Sequence, residues 1–385
     1  MSPMRDDRRS DYTPAFDEAE EGVRRRFTLH VEELDAAASL ALDLLAAPEA
    51  GREELLRQPR FHALGLCDLL LERCREAWAE EPARALELAA LATEVACRLD
   101  AAHYGAGIVE DAQARAWAHL ANSYRIGSDL RRAEEALAAA WEHHRKAGED
   151  AFTEAEILSF EGSLRNSQGR FEDAVRLFDR ALAIYRSGRD RHREGRTLLQ
   201  KGMARGDGGR LKEAIRLLRR GLAAIDTTEE PRLEVVARHN LILYLHESGE
   251  SREALTVLER SRRLYEVLGE PLHRARLRWV EGKIFHDLDR LEEAEVSLGE
   301  ARAAFLERGI AFDAALVSLD LAMVHARRGD TGEVQRLAAE MLPIFESRDV
   351  RSEALAALVL LRGAVDTERV SLEILEHLSG QLRRA

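Results

Sequence analysis

The chain has 385 residues, 45% hydrophobic and 33% charged, with 57 basic and 70 acidic side chains and a net charge of −13. That balance argues against a nonspecific nucleic-acid binder, which needs a basic face to neutralise phosphates, and the length exceeds what one ordinary core supports. No apolar run is long enough to span a bilayer, and no signal-peptide core follows the charged start Met1–Arg9. Cys67, Cys74 and Cys97 sit in helical, apolar contexts that suit free thiols in a reducing compartment, so a cytoplasmic location is expected.

Residues 1–25 are polar and charged, bracketed by Pro3 and Pro14, and read as a flexible tail. An apolar rhythm from Phe27 to Ala47 predicts a helix that Pro48 and Gly51 break. A second helix is expected over His62–Trp78 and a third after Pro82, with Ala85, Leu88, Ala89 and Ala92 at helical spacing. Residues 26–110 thus read as an N-terminal helical cap holding one divergent hairpin. The loop around His103–Gly107 then breaks the register.

From residue 111 to 350 the chain repeats itself. The stretches Ser128–Ala133, Gly169–Ala174, Gly209–Ala214, Gly249–Ala254, Asp289–Ala294 and Gly329–Val334 align without gaps, about 40 residues apart. A period of this size means stacked helical hairpins, each burying its face against its neighbours. After Ala174, the residues Phe178, Ala181 and Tyr185 follow at +4, +7 and +11, on one helical face. Leu258, Ser261 and Tyr265 follow Ala254 in the same way, and Leu298, Ala301 and Phe305 follow Ala294. Twelve residues before each reference stands Ala121, Gly162, Gly202, Ile242, Gly282 or Ala322. Glycine inside a helix costs up to about 1 kcal/mol relative to alanine, so its recurrence predicts a close helix–helix approach. Gly148, Gly188, Gly269, Gly309 and Asp349 close the hairpins. Residues 351–385 lose the small-residue pattern and read as a degenerate capping hairpin.

The first regular repeat reads Trp117-x-x-Leu120-Ala121-x-x-Tyr124, then Ala133, Leu137 and Ala140. It resembles the tetratricopeptide repeat signature, and Gly162, Ala174, Phe178 and Ala181 match its second half. The signature Trp and Tyr are mostly lost after the first repeat, the closing proline is missing from most copies, and the unit is 40 residues rather than 34. Units of this length are similar to those of bacterial regulators, signal-peptide receptors and cargo adaptors. The resemblance implies an all-α, right-handed solenoid of antiparallel hairpins whose first helices line a concave groove. It also implies a non-enzymatic scaffold that holds a partner protein or peptide. Transferred to this sequence, the groove positions include Arg115, Asn122, Arg125, Asn166, Arg196, His239, His246, Arg276, Trp279 and Lys283. Ala118, Glu156, Ser159, Ser163, Leu199, Met203, Leu243 and His286 accompany them. This mildly basic set suits an acidic or carboxylate-bearing segment, and Arg and Trp often dominate interface energetics. The two-lysine, two-asparagine carboxylate clamp of chaperone-binding relatives is not matched.

Other constellations weaken on inspection. Arg205–Arg210 lacks the Gly-Lys-Ser/Thr ending of a phosphate loop and falls at a turn shared by the other repeats. His239 and His246 lie about 10 Å apart along a helix, too far for one ion to bridge without a third element, so no metal is expected. His143 and His144 read as solvent-facing. Arg186–Arg196 packs five arginines around a turn, either a solvated turn or a surface for phosphate, RNA or an acidic partner. No nucleophile elbow or distinct carboxylate pair stands out. The expected function is therefore a cofactor-free adaptor. The alternative is a regulator that responds to a ligand or signalling peptide through a separate effector protein.

Overall fold

The computed structural model describes residues 33–78, 81–148, 150–346 and 370–382, and those residues form helices and turns without a strand. The expected tail at 1–25, and the first helix of the expected capping hairpin, lie outside the described residues. The chain divides into two compact units, Met1–Gly208 and Gly209–Ala385. The boundary falls within the repeat array, between two glycines of an ordinary inter-helix turn.

In the first unit α1 covers residues 33–46 and is followed by α2 (Glu49–Leu56), a 3-10 turn (Pro59–Phe61), α3 (Leu64–Ala77), α4 (Pro82–Ala96) and the short α5 (Ala101–Tyr104). Then come α6 (Ala106–Ile126), α7 (Leu130–Ala147), α8 (Ala151–Ser167), α9 (Phe171–Ser187) and α10 (Arg191–Asp207). Pro82 opens α4 from its first turn, where its missing N–H costs nothing. The register break foreseen near His103 is α5 and Gly105, whose φ is +93°. Helices α3 and α4 pair as a hairpin, as do α6 with α7 and α8 with α9; α3 and α8 both pack on α6, and α10 packs on α8 and α9.

The second unit holds α11 (Leu211–Leu222), α12 (Pro231–Glu247), α13 (Ser251–Leu268), α14 (Pro271–Asp287), α15 (Leu291–Glu307), α16 (Ala311–Arg328), α17 (Thr331–Glu346) and α18 (Leu372–Leu382). The pairs α12–α13, α14–α15 and α16–α17 are antiparallel hairpins, and α18 packs on α16 through buried Leu375 and Leu378.

The periodic positions make the core. Ala174, Phe178, Ala181 and Tyr185, with their counterparts after Ala254 and Ala294, are each no more than 3% exposed. The recurrent small residue also has its physical reason. A Cβ on Gly162 would fall 2.7 Å from the Phe178 ring, and one on Gly282 would fall 2.5 Å from Leu298 Cγ and 3.2 Å from the Leu298 amide nitrogen. Gly282→Ala is therefore expected to destabilise the second unit by about 1–3 kcal/mol through overpacking. Urea unfolding checks this, and an unchanged midpoint would show that α14 and α15 can separate freely.

From α6–α7 to α16–α17, the turn between the helices of a hairpin uses one left-handed residue. Gly169, Gly209, Gly249 and Gly329 take it with φ from +72° to +83°, and Ser128 and Asp289 take it at +64° and +60°. The next N–H then reaches back five residues, as from Arg170 to the Arg165 carbonyl (2.8 Å) and from Asp129 to the Tyr124 carbonyl (2.9 Å). Because side chains are strained there, Gly169→Ala is expected to cost about 1 kcal/mol and Ser128→Gly to gain roughly 0.5 kcal/mol. Thermal melts of the pair test the opposite signs. At the junction after α9 the left-handed residue is Arg189 (φ +57°) rather than Gly188. Gly188 is small for another reason: a Cβ would lie 2.5 Å from the Phe152 ring.

Candidate partner-binding surface

In the first unit, the first helices of successive hairpins (α3, α6, α8 and α10) bring their polar faces together. Arg115 on α6 donates to Asp68 on α3 at 2.8 Å and to Asp111 at 3.2 Å. Arg75 on α3 reaches past α6 to Glu156 on α8 at 3.2 Å. His119 Nε2 lies 3.3 Å from the same carboxylate. Trp78, just after α3, tilts against His119 (centroids 5.3 Å) and meets Phe160 of α8 edge-on (5.5 Å). The Arg196 guanidinium carbon of α10 lies 5.4 Å from the Trp78 ring centre. Side chains at and just after the end of α3 thus reach α8 and α10.

The electrostatics follow from that crowding. Burial would raise the Glu156 carboxyl, but His119, Arg75 and Arg115 outweigh it and hold it well below the usual carboxylate range. Burial pushes the His119 imidazole down, against the pull of Glu156. The face also carries buried polar atoms without hydrogen-bond partners among the described residues: Arg75 Nε, Trp78 Nε1, His119 Nδ1, Asn166 Oδ1 and Gln200 Oε1. Native interiors pair nearly all such atoms, so these are exceptions.

Of the ten groove positions, five fall on this unit. Arg115 is tied into ion pairs, Asn122 is 4% exposed and accepts from Arg125 Nε at 3.0 Å, and Asn166 Nδ2 donates to Asp207 at 2.8 Å. Arg196 joins Trp78. The other five lie in the second unit, on α12 and α14. Arg276 is exposed, whereas Lys283 is half-buried. Trp279 is bound into the stack: its Nε1 donates to Asp320 of α16 at 2.6 Å, and its ring meets Phe305 edge-on. Burial first, then Arg276 and His273, lowers the His239 imidazole to about 4. His246 pairs with Asp287 at 3.0 Å, beside a cleft of about 500 Å³ lined by Gly249, Ser251, Glu253 and Leu288.

Asp68, Arg75, Trp78, His119 and Gln200 were missed in the sequence. The first three share one face of α3 through their spacing of seven and three residues, which was the available signal. The reading of His143 and His144 as solvent-facing needs correction. His144 is 5% exposed and meets Trp141 edge-on, while His143 pairs with Glu110 at 2.7 Å. His144 stands at +11 from Ala133, the position of Tyr185, Tyr265 and Phe305, so the periodicity itself places it in the core. Two arginines of the basic turn have local partners, with Arg186–Glu194 at 2.7 Å and Arg193–Asp190 at 2.8 Å. Among the described residues, no group of three or more His, Cys, Asp or Glu could hold a metal, and no helix is long and apolar enough to cross a membrane.

Helical hairpins stacked in each unit, with first helices facing first helices, define an α-solenoid. The tetratricopeptide repeat family matches residues 153–226, so that stretch carries tetratricopeptide repeats, and helical hairpins continue on both sides of it. The fold of the chain is similar to that of apo RapI (TM-score 0.61, 13% identity, 83% of this chain and 87% of that one). The apo quorum sensor NprR from B. thuringiensis is also similar (0.57, 15%, 76% and 79%). So is a Rap protein complexed with competence and sporulation factor (0.51, 16%, 83% and 96%). No curated protein matches the chain in sequence.

Proposed function

We propose that this chain is a non-enzymatic interaction scaffold that holds a partner protein or an extended peptide on the inner face of its first unit. The observation that carries the reading is the shared polar face of α3, α6, α8 and α10, where Trp78 and Arg196 supply anchor chemistry beside buried polar atoms that find no partner among the described residues. A face needed only for packing would be apolar or fully paired.

A photo-crosslinking amino acid placed at Met203 on α10, compared with one at the exposed Arg176 on the outer helix α9, tests the surface in host extract. Capture of a defined protein or peptide at 203 and not at 176 is expected. Capture only at 176 would move binding to the outer face. Trp78→Ala and Arg196→Ala are each expected to weaken capture at 203 by about tenfold, the size of an ordinary interface hot spot.

A second reading, a regulator switched by a signalling peptide, is favoured by the likeness to a quorum sensor and to a Rap protein bound to competence and sporulation factor. Small-angle scattering with the captured peptide separates the two readings: a switch changes the radius of gyration, whereas a passive scaffold keeps it.

A further inference from the structure

We propose that the second helices α13 and α15 of the second unit form a self-complementary surface that pairs with the same surface of a second copy of this chain. Successive second helices lie side by side: Arg219 of α11 reaches Glu253 of α13 at 2.6 Å, and Arg302 of α15 reaches Glu340 of α17 at 2.7 Å. The repeat period then lines up equivalent positions in two exposed rows. One row holds Lys212, Arg252 and Glu292, and the other holds Arg220, Arg260, Glu300 and Glu340. Both rows change sign at the same place, between α13 and α15. The side chains of Arg252, Arg260 and Glu292 make no ion pair or hydrogen bond among the described residues. Glu300 meets Arg278 of α14 at 2.9 Å and is still 51% exposed. Apolar exposure gathers on the same two helices. Val267 on α13 is 73% exposed, and Val296 and Leu306 on α15 are 61% and 46% exposed. Among the described residues these are the large hydrophobic side chains that the second unit leaves in water.

A row that reads plus, plus, minus, minus is its own complement under one symmetry operation. The twofold axis runs parallel to the helices, in the plane of contact and between α13 and α15. It reverses the order of the helices and keeps their direction. Helix α13 then faces α15 of the second copy at matching positions, with Arg252 opposite Glu292 and Arg260 opposite Glu300, and symmetry repeats each pair. Val267 comes beside Leu306 of the second copy, and Val296 beside Thr256. Glu266 and Glu307 approach each other at the C-terminal ends, where Arg263, one turn earlier, offsets them. A twofold axis across the helices would instead set arginine on arginine and glutamate on glutamate, so the charge pattern selects one arrangement and rejects the other.

The test is sedimentation velocity on the full chain across a concentration series at low and high salt. A reversible monomer–dimer equilibrium that weakens with salt is expected. One variant carries Arg252→Glu and Arg260→Glu on α13, the other Glu292→Arg and Glu300→Arg on α15. Each alone sets like charges together and should weaken dimerisation by at least about tenfold. An equimolar mixture of the two should recover a heterodimer of near wild-type strength, because each reversed helix then meets its opposite. A misfolded variant would not give that recovery. Glu292→Arg alone replaces the α15 pair if losing the Glu300–Arg278 contact lowers the urea midpoint. A chain that stays monomeric at every concentration, a dimer indifferent to both variants, or reversed variants that stay apart when mixed overturns the proposal. A monomer retained on heparin resin through Arg252 and Arg260 would assign the basic ends of the rows to a polyanion and would overturn it equally.

Discussion

Ala174→Arg is expected to lower the stability of the first unit by about 3–5 kcal/mol, the scale of an uncompensated buried charge. Ala174 is fully buried on α9, in a cluster with Val175, Phe178 and Ala204 of α10. Phe178 cannot retreat to make room, because its ring already lies where a Cβ on Gly162 would stand. The arginine must therefore either push α9 away from α10, which opens the stack, or stay buried with its charge unpaired. In a repeat array each hairpin is held by its neighbours, so the damage spreads to α8 and α10. Ala174→Ser serves as the control, since a hydroxyl can bond back to the carbonyl four residues earlier, as Ser159 and Ser261 do. Urea midpoints are the measurement. A midpoint equal to wild type for the arginine variant would show that the α9–α10 contact is loose.

Period and core were legible because both rest on local rules. A 40-residue spacing of small residues follows from a left-handed turn followed by a tight helix pair, and the +4, +7 and +11 positions follow from helix geometry. Those rules located buried Tyr185, Tyr265 and Phe305, and applied once more they place His144. The surface was less legible. The resemblance assigned Arg115, Trp279 and Arg276 alike to the groove, whereas their surroundings differ: Arg115 is held by Asp68 and Asp111, Trp279 by Asp320, and Arg276 is exposed. Those differences depend on partners one helix away, which spacing along one helix does not specify. Trp78 and Arg75 escaped notice because their hairpin stands 48 residues from the next reference alanine, outside the register. The division after Gly208 left no mark either, since Gly208–Gly209 satisfies the same turn rule as the other repeats.

Glu156→Gln carries the second large effect, expected at about 2 kcal/mol near neutral pH. The pair terms exceed those of a surface bridge because Glu156 is only 20% exposed and serves both Arg75 and His119. They fall short of a fully buried pair because Arg75 is 32% exposed and can turn to water once its partner is neutral. The pH dependence has a definite sign. Glu156 is held below its unfolded value, about 4.3 for a free glutamate, so its contribution is fully present above that value and is lost as pH falls below it, where the unfolded chain takes up a proton that the folded one refuses. His119 is also lowered, so its neutral form favours the folded state above about 6.5, and that stability too declines on acidification. Both versions of the chain retain His119, so the difference between wild type and Glu156→Gln isolates most of the carboxylate's share. The difference should stay level from pH 8 to about 5 and shrink by pH 3.5. A gap in urea midpoints that persists undiminished to pH 3.5 would mean that the wild-type advantage comes from the shape of the side chain at position 156 rather than from its charge. The network from Arg75 to Arg115 would then owe its order to packing around Trp78.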